Sequence, residues 1–180
     1  PIKRYKSLKF FTQVAGEDEA GYLPSCLIYL VGLEWEASLA KYQTNTVIEL
    51  IDTRVNYTEH KNCGPNTAYN NHYYKYTNYD KVIASPVDTE GKQIKLWLSV
   101  KLSQFLNVSY SISNIVINDD NWSKHRLSES RDKGIINSVE FNYKKNKLDL
   151  RTYISNQKFD LGHSDRKNGL TLGFTAQTKF

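Results

Sequence analysis

The feature that most constrains the fold is a strict alternation of side-chain character near the C-terminal end. Residues 169–180 read GLTLGFTAQTKF. From Leu170 to Phe180 every second residue is apolar or small, and the residues between are polar or glycine. A period of two gives a β-strand one apolar and one wet face. This end of the chain is therefore predicted to be an amphipathic strand.

Seven further segments alternate in the same way, although the first is weaker. They are residues 8–14, 27–36, 46–53, 94–102, 106–113, 139–143 and 148–155. In 46–53 the apolar side chains occupy both faces, so its orientation stays open. Several segments reach the ~9–11 residues that a tilted strand needs to cross a bilayer. The predicted fold is an all-β, antiparallel transmembrane β-barrel, with about eight strands present as part of a larger barrel. A small complete barrel and a soluble carbohydrate-binding β-sandwich are the alternatives.

The lengths of the connections support the barrel. Counting back from Phe180, medium or long connections at 158–168, 118–133, 56–92 and 16–25 alternate with short ones at 143–147, 102–105 and 37–43. Outer-membrane barrels have short periplasmic turns and long outer loops. If Phe180 lies on the periplasmic side, the long loops face outward.

Composition sets limits on function. The 180 residues carry a net charge of +5, with 19 acidic side chains interspersed among 24 basic ones. No basic face is evident, so nucleic acid is not an expected partner. The sequence has no apolar run of ~18 residues that would form a membrane helix. No nucleophile, phosphate-loop or metal motif appears, and we expect neither an enzyme nor a cofactor.

Charged residues on the second face of the strands are expected to share a watered lumen. They are Glu34, Glu36, Glu49, Glu140, Asp149, Lys95, Lys101 and Arg151. Cys26 and Cys63 fall at the same predicted end of the barrel, which permits a disulfide without requiring one. Asp119 and Asp120 could take Ca²⁺ with Asn118 and Asn121, but a solvated turn is the preferred interpretation.

Three segments resemble the C-terminal part of the capsule assembly proteins of the Wzi type. They are GEDEAGYLPS at 16–25, followed by a strand with Gly32; IELIDTR at 48–54; and NTAYNNHYYKYTNYDKVIASPVDTEGKQIKLWLS at 66–99. The likeness spans most of residues 6–102. Two departures are visible: Thr77-Asn78 replaces a usual glycine, and Ala84-Ser85 precedes Pro86 where the family has Gly-His.

The resemblance implies a large outer-membrane barrel that holds capsular polysaccharide on the bacterial surface. It implies partners as well: an acidic capsular polysaccharide, outer-membrane lipid, and the barrel assembly machinery through the strand ending at Phe180. Residues 1–180 would be one barrel domain, the C-terminal portion of a longer or processed protein. A porin-like channel for small solutes is the alternative function.

The long connection at 56–92 is rich in tyrosine and asparagine. Aromatic rings can pack against sugar C–H faces, while amides and imidazoles bond hydroxyl groups. A loop that folds into the lumen as a plug explains the same residues, and both interpretations can hold together. The predicted polysaccharide-binding residues are Tyr69, Asn70, His72, Tyr73, Tyr74, Tyr76 and Tyr79.

Overall fold

The computed structural model describes residues 4–20, 23–55, 63–65, 67–69, 77–78, 81–82, 85–159 and 168–178. Ten β-strands occur in this part of the chain: β1 Arg4–Ala20, β2 Leu23–Leu39, β3 Tyr42–Asp52, β4 Thr77–Asn78, β5 Lys81–Val82, β6 Lys92–Lys101, β7 Leu106–Ile117, β8 Asp132–Lys145, β9 Leu148–Phe159 and β10 Gly169–Thr178. None of the described segments is a helix long and apolar enough to cross a membrane.

Eight strands form one antiparallel sheet, in the order β1-β2-β3-β6-β7-β8-β9-β10. Strands β4 and β5 pair separately, inside the connection between β3 and β6. Each of the eight predicted segments falls on a strand of the large sheet, although 46–53, 94–102 and 169–180 extend one or two residues beyond their strands. The all-β antiparallel prediction is confirmed. Strands β1 and β10 are its edges, and no pairing joins them among the described residues.

The sheet has an apolar face that no described part of the protein covers. We call it the outer face. At its two edges Leu8 and Phe174 are each 69% exposed, and in its middle Ile94 is 55% exposed. The register sets the large apolar side chains of neighbouring strands side by side, as in the pairs Leu50–Ile94 and Ile154–Leu172. The exposed members are Leu8, Phe10, Val14, Ile48, Leu50, Ile94, Leu96, Leu98, Ile135, Phe141, Ile154, Leu170, Leu172 and Phe174.

The inner face is polar, and it contains the lumen residues predicted from the sequence. Glu49 lies directly opposite Lys95, and Glu140 lies opposite Tyr153. Strand β3, whose orientation the sequence left open, turns Val47 inward and Ile48 outward. Each strand therefore separates an apolar from a polar environment.

Three inner-face glycines lie beneath aromatic rings of the neighbouring strand. The cross-strand pairs are Gly32 with Phe11, Gly134 with Phe159 and Gly173 with Tyr153. A Cβ at any of these glycines would overlap the partner ring. A glycine in a strand often marks such a close approach, and here the ring fills the space that the missing side chain leaves.

The connections divide by length between the two ends of the sheet, except that a short one, residues 21–22 between β1 and β2, joins strands at the end of the long connections. At one end, the turn end, residues 40–41, 102–105 and 146–147 join the strands. At the other, the loop end, residues 53–91, 118–131 and 160–168 do so. The medium loop expected at 16–25 was wrong, because β1 and β2 continue to Ala20 and Leu23 and only residues 21–22 separate them.

At the loop end, parts of the connection between β3 and β6 pack against the inner face. Ala68 and Cys63 form a buried cluster with Cys26 and Ile28 of β2. Val87 forms a second cluster with Ile115, Ile117 and Phe159. The described parts of this connection thus cover the inner face at its loop end, as the plug interpretation expects.

Candidate functional site

The middle of the inner face presents an aromatic ring between charged groups. Trp97 of β6 lies opposite Val47 on one side and the small Ser111 on the other. Trp97 and Val47 line a cavity of 230 Å³ together with Glu49 and Lys95. Ser111 and Ser138 are hydrogen-bonded 2.7 Å apart, so the wall beyond Trp97 consists of small hydroxyl side chains. An aromatic plane beside a carboxylate, an ammonium and hydroxyl groups can pack a sugar ring and bond its hydroxyls.

A second polar cavity of 210 Å³ lies nearer the turn end on the same face. It is lined by Glu36, Ala37, Gln43, Thr44, Asn45, Ser99, Lys101 and Asn107. Neighbouring groups hold its walls in place: Asn45 donates to Glu34 at 2.7 Å, and Ser99 donates to Asn107 at 2.9 Å. Amide, hydroxyl and charged groups of this kind are the donors and acceptors that polyhydroxylated ligands use.

A third cavity, of 160 Å³, lies where the connection between β3 and β6 meets the inner face. Tyr69 and Ser85 of the connection line it together with Gln13, Leu30 and Ile51 of the strands. Tyr69 is half-buried and has a positive φ of 60°. Of the predicted binding residues, Tyr69 is therefore at the inner face, while Asn70, His72, Tyr73, Tyr74, Tyr76 and Tyr79 lie outside the described residues.

A disulfide joins Cys26 at the loop end of β2 to Cys63 in the connection, with the two Cα atoms 5.3 Å apart. Both cysteines are almost fully buried. The bridge that the sequence permitted is thus present. It fixes residues 63–65 and 67–69 next to the cavity that Tyr69 lines.

An ion network lies beside the loop end of β3 and β6. Asp119 Oδ2 accepts from Lys92 at 2.7 Å and from Arg54 at 3.1 Å, and Oδ1 pairs with Arg131 at 2.7 Å. Arg54 also forms a bidentate pair with Asp52. Burial raises the pKa of Asp119, but Lys92, Arg131 and Arg54 outweigh burial and hold that pKa below its usual value.

The preferred interpretation of residues 118–121 as a solvated turn agrees with Asp120 and Asn121, which are exposed in a turn closed by a hydrogen bond from the Asn121 amide to the Asn118 carbonyl at 3.1 Å. Asn118 is completely buried, and its side chain bonds Trp122 and Ser128 of the same loop. Both carboxylate oxygens of Asp119 form ion pairs with cationic side chains. Among the described residues no group of acidic, histidine or cysteine side chains is arranged to hold a metal ion.

His125 connects the 118–131 loop to the end of the β3–β6 connection. Its Nδ1 accepts from the Leu127 amide at 3.1 Å, so the proton is on Nε2, which donates to the Thr89 carbonyl at 2.9 Å. Burial lowers the pKa of His125. The neutral ring therefore joins the two loops through a hydrogen bond. Next to His125, Arg126 of the same loop forms an ion pair with Asp88 of the connection.

Trp97 is the site residue that sequence reasoning missed. The alternation placed it on the polar face of β6, between Lys95 and Ser99. A large aromatic residue on the wet side of a membrane strand has no lipid to contact. That mismatch is a signal from which a ligand contact could have been predicted.

The sequence profile of the capsule assembly protein Wzi family matches residues 3–172. The chain belongs to this family. An uncharacterized 55.8 kDa protein from the cps region of Klebsiella pneumoniae is 43% identical over 49 residues, which are 27% of this chain and 10% of that protein.

The fold is similar to that of the solved Escherichia coli Wzi, described as an outer membrane protein involved in group 1 capsule assembly and as a carbohydrate-binding β-barrel. The TM-score is 0.73 at 22% identity. The match covers 94% of this chain but 37% of the E. coli protein, so the chain spans well under half of that protein's length. The eight-stranded sheet thus resembles an arc of a larger barrel wall.

Proposed function

We propose that this protein is an outer-membrane β-barrel that binds capsular polysaccharide and retains it at the bacterial surface. The observation that carries the proposal is the opposite polarity of the two faces. Soluble monomers rarely expose apolar patches larger than a few hundred Å². Here fourteen large apolar side chains of one face are exposed while charged groups line the other, which is the arrangement of a strand wall between lipid and water.

In this proposal residues 1–180 are one portion of a barrel, with the loop end outside the cell and the turn end in the periplasm. The division of long and short connections supports that orientation. The barrel assembly machinery would bind the segment that ends at Phe180, of which the structure describes β10, Gly169–Thr178. Family membership and the likeness to the E. coli barrel support the compartment.

The polysaccharide would contact both the tyrosine-rich connection and the inner face. Tyr69 and Trp97 each line a cavity at the inner face, with Gln13 and Ser85 beside Tyr69 and with Glu49 and Lys95 beside Trp97. The net charge of +5 favours an acidic polymer. Sugar contacts of this kind bind without chemical change, so the proposed role is that of a binding protein.

The coverage of the inner face favours binding over the porin alternative. Two buried clusters and a disulfide hold parts of the β3–β6 connection across the loop end of the sheet. A solute channel needs an open lumen there. The covered loop end of the sheet is instead suited to present a binding surface to the outside of the cell.

The first experiment deletes the full-length gene from its parent bacterium and complements it with wild type, Trp97→Ala or Trp35→Ala. Trp35 lies on the outer face, opposite Leu8, so it is a matched control. Cell-bound and shed capsular polymer are then weighed. We expect the deletion and Trp97→Ala to shift polymer to the supernatant while Trp35→Ala retains it, since only Trp97 would face the polymer.

Total polymer should stay constant in every strain. If the deletion leaves polymer attached, the anchoring function is refuted, and conductance in planar bilayers tests the channel. If the deletion sheds polymer but Trp97→Ala does not, anchoring stands and the inner-face contact is wrong. Heat-modifiable migration on gels checks that each variant folds.

A further inference from the structure

A row of basic side chains borders the outer face at its loop end. Across β3, β6, β7 and β8 the register sets Asp52, Lys92, Val116 and Lys133 at one level. The next level toward the turn end contains the exposed apolar Leu50, Ile94 and Ile135, followed on β9 by Lys158. The charge therefore begins where the apolar band ends.

The border has an excess of positive charge. We define the basic border by its five cationic residues: Arg54, Lys92, Arg131, Lys133 and Lys158. Two carboxylates, Asp52 and Asp119, pair with three of them. Lys133 and Lys158 are exposed, and no carboxylate of the described residues is within ion-pair distance of either. Five positive charges outnumber these two carboxylates by three, and the adjoining Asp120 and Asp132 reduce the local surplus to one.

A groove crosses the boundary between the border and the apolar band. Its volume is 380 Å³. Leu50, Ile94 and Val116 form its apolar part. Arg54 and Lys92 line it at the charged end together with Asp52, which pairs with Arg54. An occupant that matches both parts has an apolar chain joined to a compact anionic group.

We propose that the basic border and its groove bind a phosphate-bearing lipid of the leaflet at the loop end, with the phosphate at the cations and an acyl chain along Leu50 and Ile94. Phosphate is the anion that arginine and lysine clusters hold best at a membrane surface. The proposal rests on the membrane location in the proposed function. It concerns the outer face, whereas polysaccharide binding concerns the inner face and loops.

The turn end provides a matched comparison. There the exposed cations Lys41 and Lys145 lie over the rings of Tyr42 and Phe105, at 5.3 and 5.2 Å from the ring centroids. An ion pair near that end, between Arg151 and Asp149 at 3.5 Å, lies on the inner face and not on the outer one. A double substitution at Lys41 and Lys145 removes as much charge as one at Lys133 and Lys158, but from the opposite boundary.

The test titrates detergent-solubilised full-length protein with bisphosphorylated lipid A and counts bound lipid by native mass spectrometry. The variants are Lys133→Gln with Lys158→Gln and, as the control, Lys41→Gln with Lys145→Gln. Each basic residue near an anionic surface contributes about 1 kcal/mol, so the first variant should bind about tenfold more weakly or worse. The control should bind as wild type does.

Dephosphorylated lipid A is the second probe. We expect it to bind wild type as weakly as bisphosphorylated lipid A binds the Lys133/Lys158 variant. Equal binding of both lipids to wild type, or an equal loss in both variants, would overturn the proposal. The lipid-binding assay does not measure capsule. A negative result in it therefore leaves the proposed anchoring function untouched, and the outcome of the capsule-shedding experiment does not affect the lipid-binding proposal.

Discussion

At the scale of single residues, His125 makes the contact between two loops sensitive to acid. The pKa of His125 in the folded protein lies below the usual 6.5, because burial disfavours the charged form of the ring. A base with a lowered folded pKa contributes stability above its unfolded pKa, and that contribution is lost as the pH falls toward the folded value. The junction of His125 and Thr89 should therefore loosen in mild acid.

We expect hydrogen exchange in residues 118–131, corrected for intrinsic rates, to speed up between about pH 7.5 and about pH 5.5. His125→Gln is the matched variant, because its amide can donate to the Thr89 carbonyl and does not titrate. In that variant the pH dependence should vanish. An unchanged pH profile in His125→Gln would assign the effect to another group.

At the scale of strands, the glycine–ring pairs on the inner face should tolerate no added methyl group. Gly173 of β10 lies beneath the Tyr153 ring, whereas a Cβ at Gly169 of the same strand would meet nothing within 4 Å. Gly173→Ala should cost about 1–3 kcal/mol because ring or strand must shift. Gly169→Ala should be neutral or slightly stabilising, because alanine restricts the unfolded chain.

The midpoint of the heat-induced gel shift of the full-length protein measures this difference. Equal midpoints for Gly173→Ala and Gly169→Ala would show that the ring moves aside freely. Tyr153→Ala provides a further control, because it removes the ring that a Cβ at position 173 would overlap. In that background Gly173→Ala should no longer lower the midpoint of the gel shift.

The strands themselves were predictable because a wall between lipid and water imposes an alternation on every strand. Strand β3 was the exception. It turns Val47 inward beside Trp97 in the middle of the inner face, and Ile51 inward near the loop end, where Val87 of the connection makes the inner face locally apolar. The extension of β1 to residue 20 and the start of β2 at residue 23 were also not predicted from the sequence, because the acidic run 17–19 has the composition of a loop.

The candidate site was less predictable than the strands. The alternation put Trp97 on the inner face, but its neighbours Val47 and Ser111 depend on register between strands far apart in sequence. Asp119 likewise meets Arg54 across 65 positions. Contacts of this kind are set by the fold as a whole, and no local pattern encodes them.

At the scale of the whole molecule, the two faces should respond in opposite ways to the same added charge. Ile112 and Ser111 are consecutive residues of β7, with Ile112 on the outer face and Ser111 on the inner face. Ile112→Arg should cost about 2–4 kcal/mol near the bilayer midplane, whereas Ser111→Arg enters a watered space at little cost.

The measurement is the amount of folded, heat-modifiable full-length protein recovered from outer membranes. We expect a strong decrease for Ile112→Arg and near-normal recovery for Ser111→Arg. A larger decrease for Ser111→Arg would reverse the assignment of the two faces. It would also contradict the membrane interpretation.

The disulfide between Cys26 and Cys63 has a mechanical consequence for the connection between β3 and β6. Near its start the connection is attached to β2 by a covalent bond, and near its end Val87 is attached to β7 and β9 by apolar packing on Ile115, Ile117 and Phe159. A force that pulls the connection away from the sheet is therefore opposed by a covalent bond at Cys63 and by noncovalent packing at Val87, and the covalent attachment is the stronger of the two.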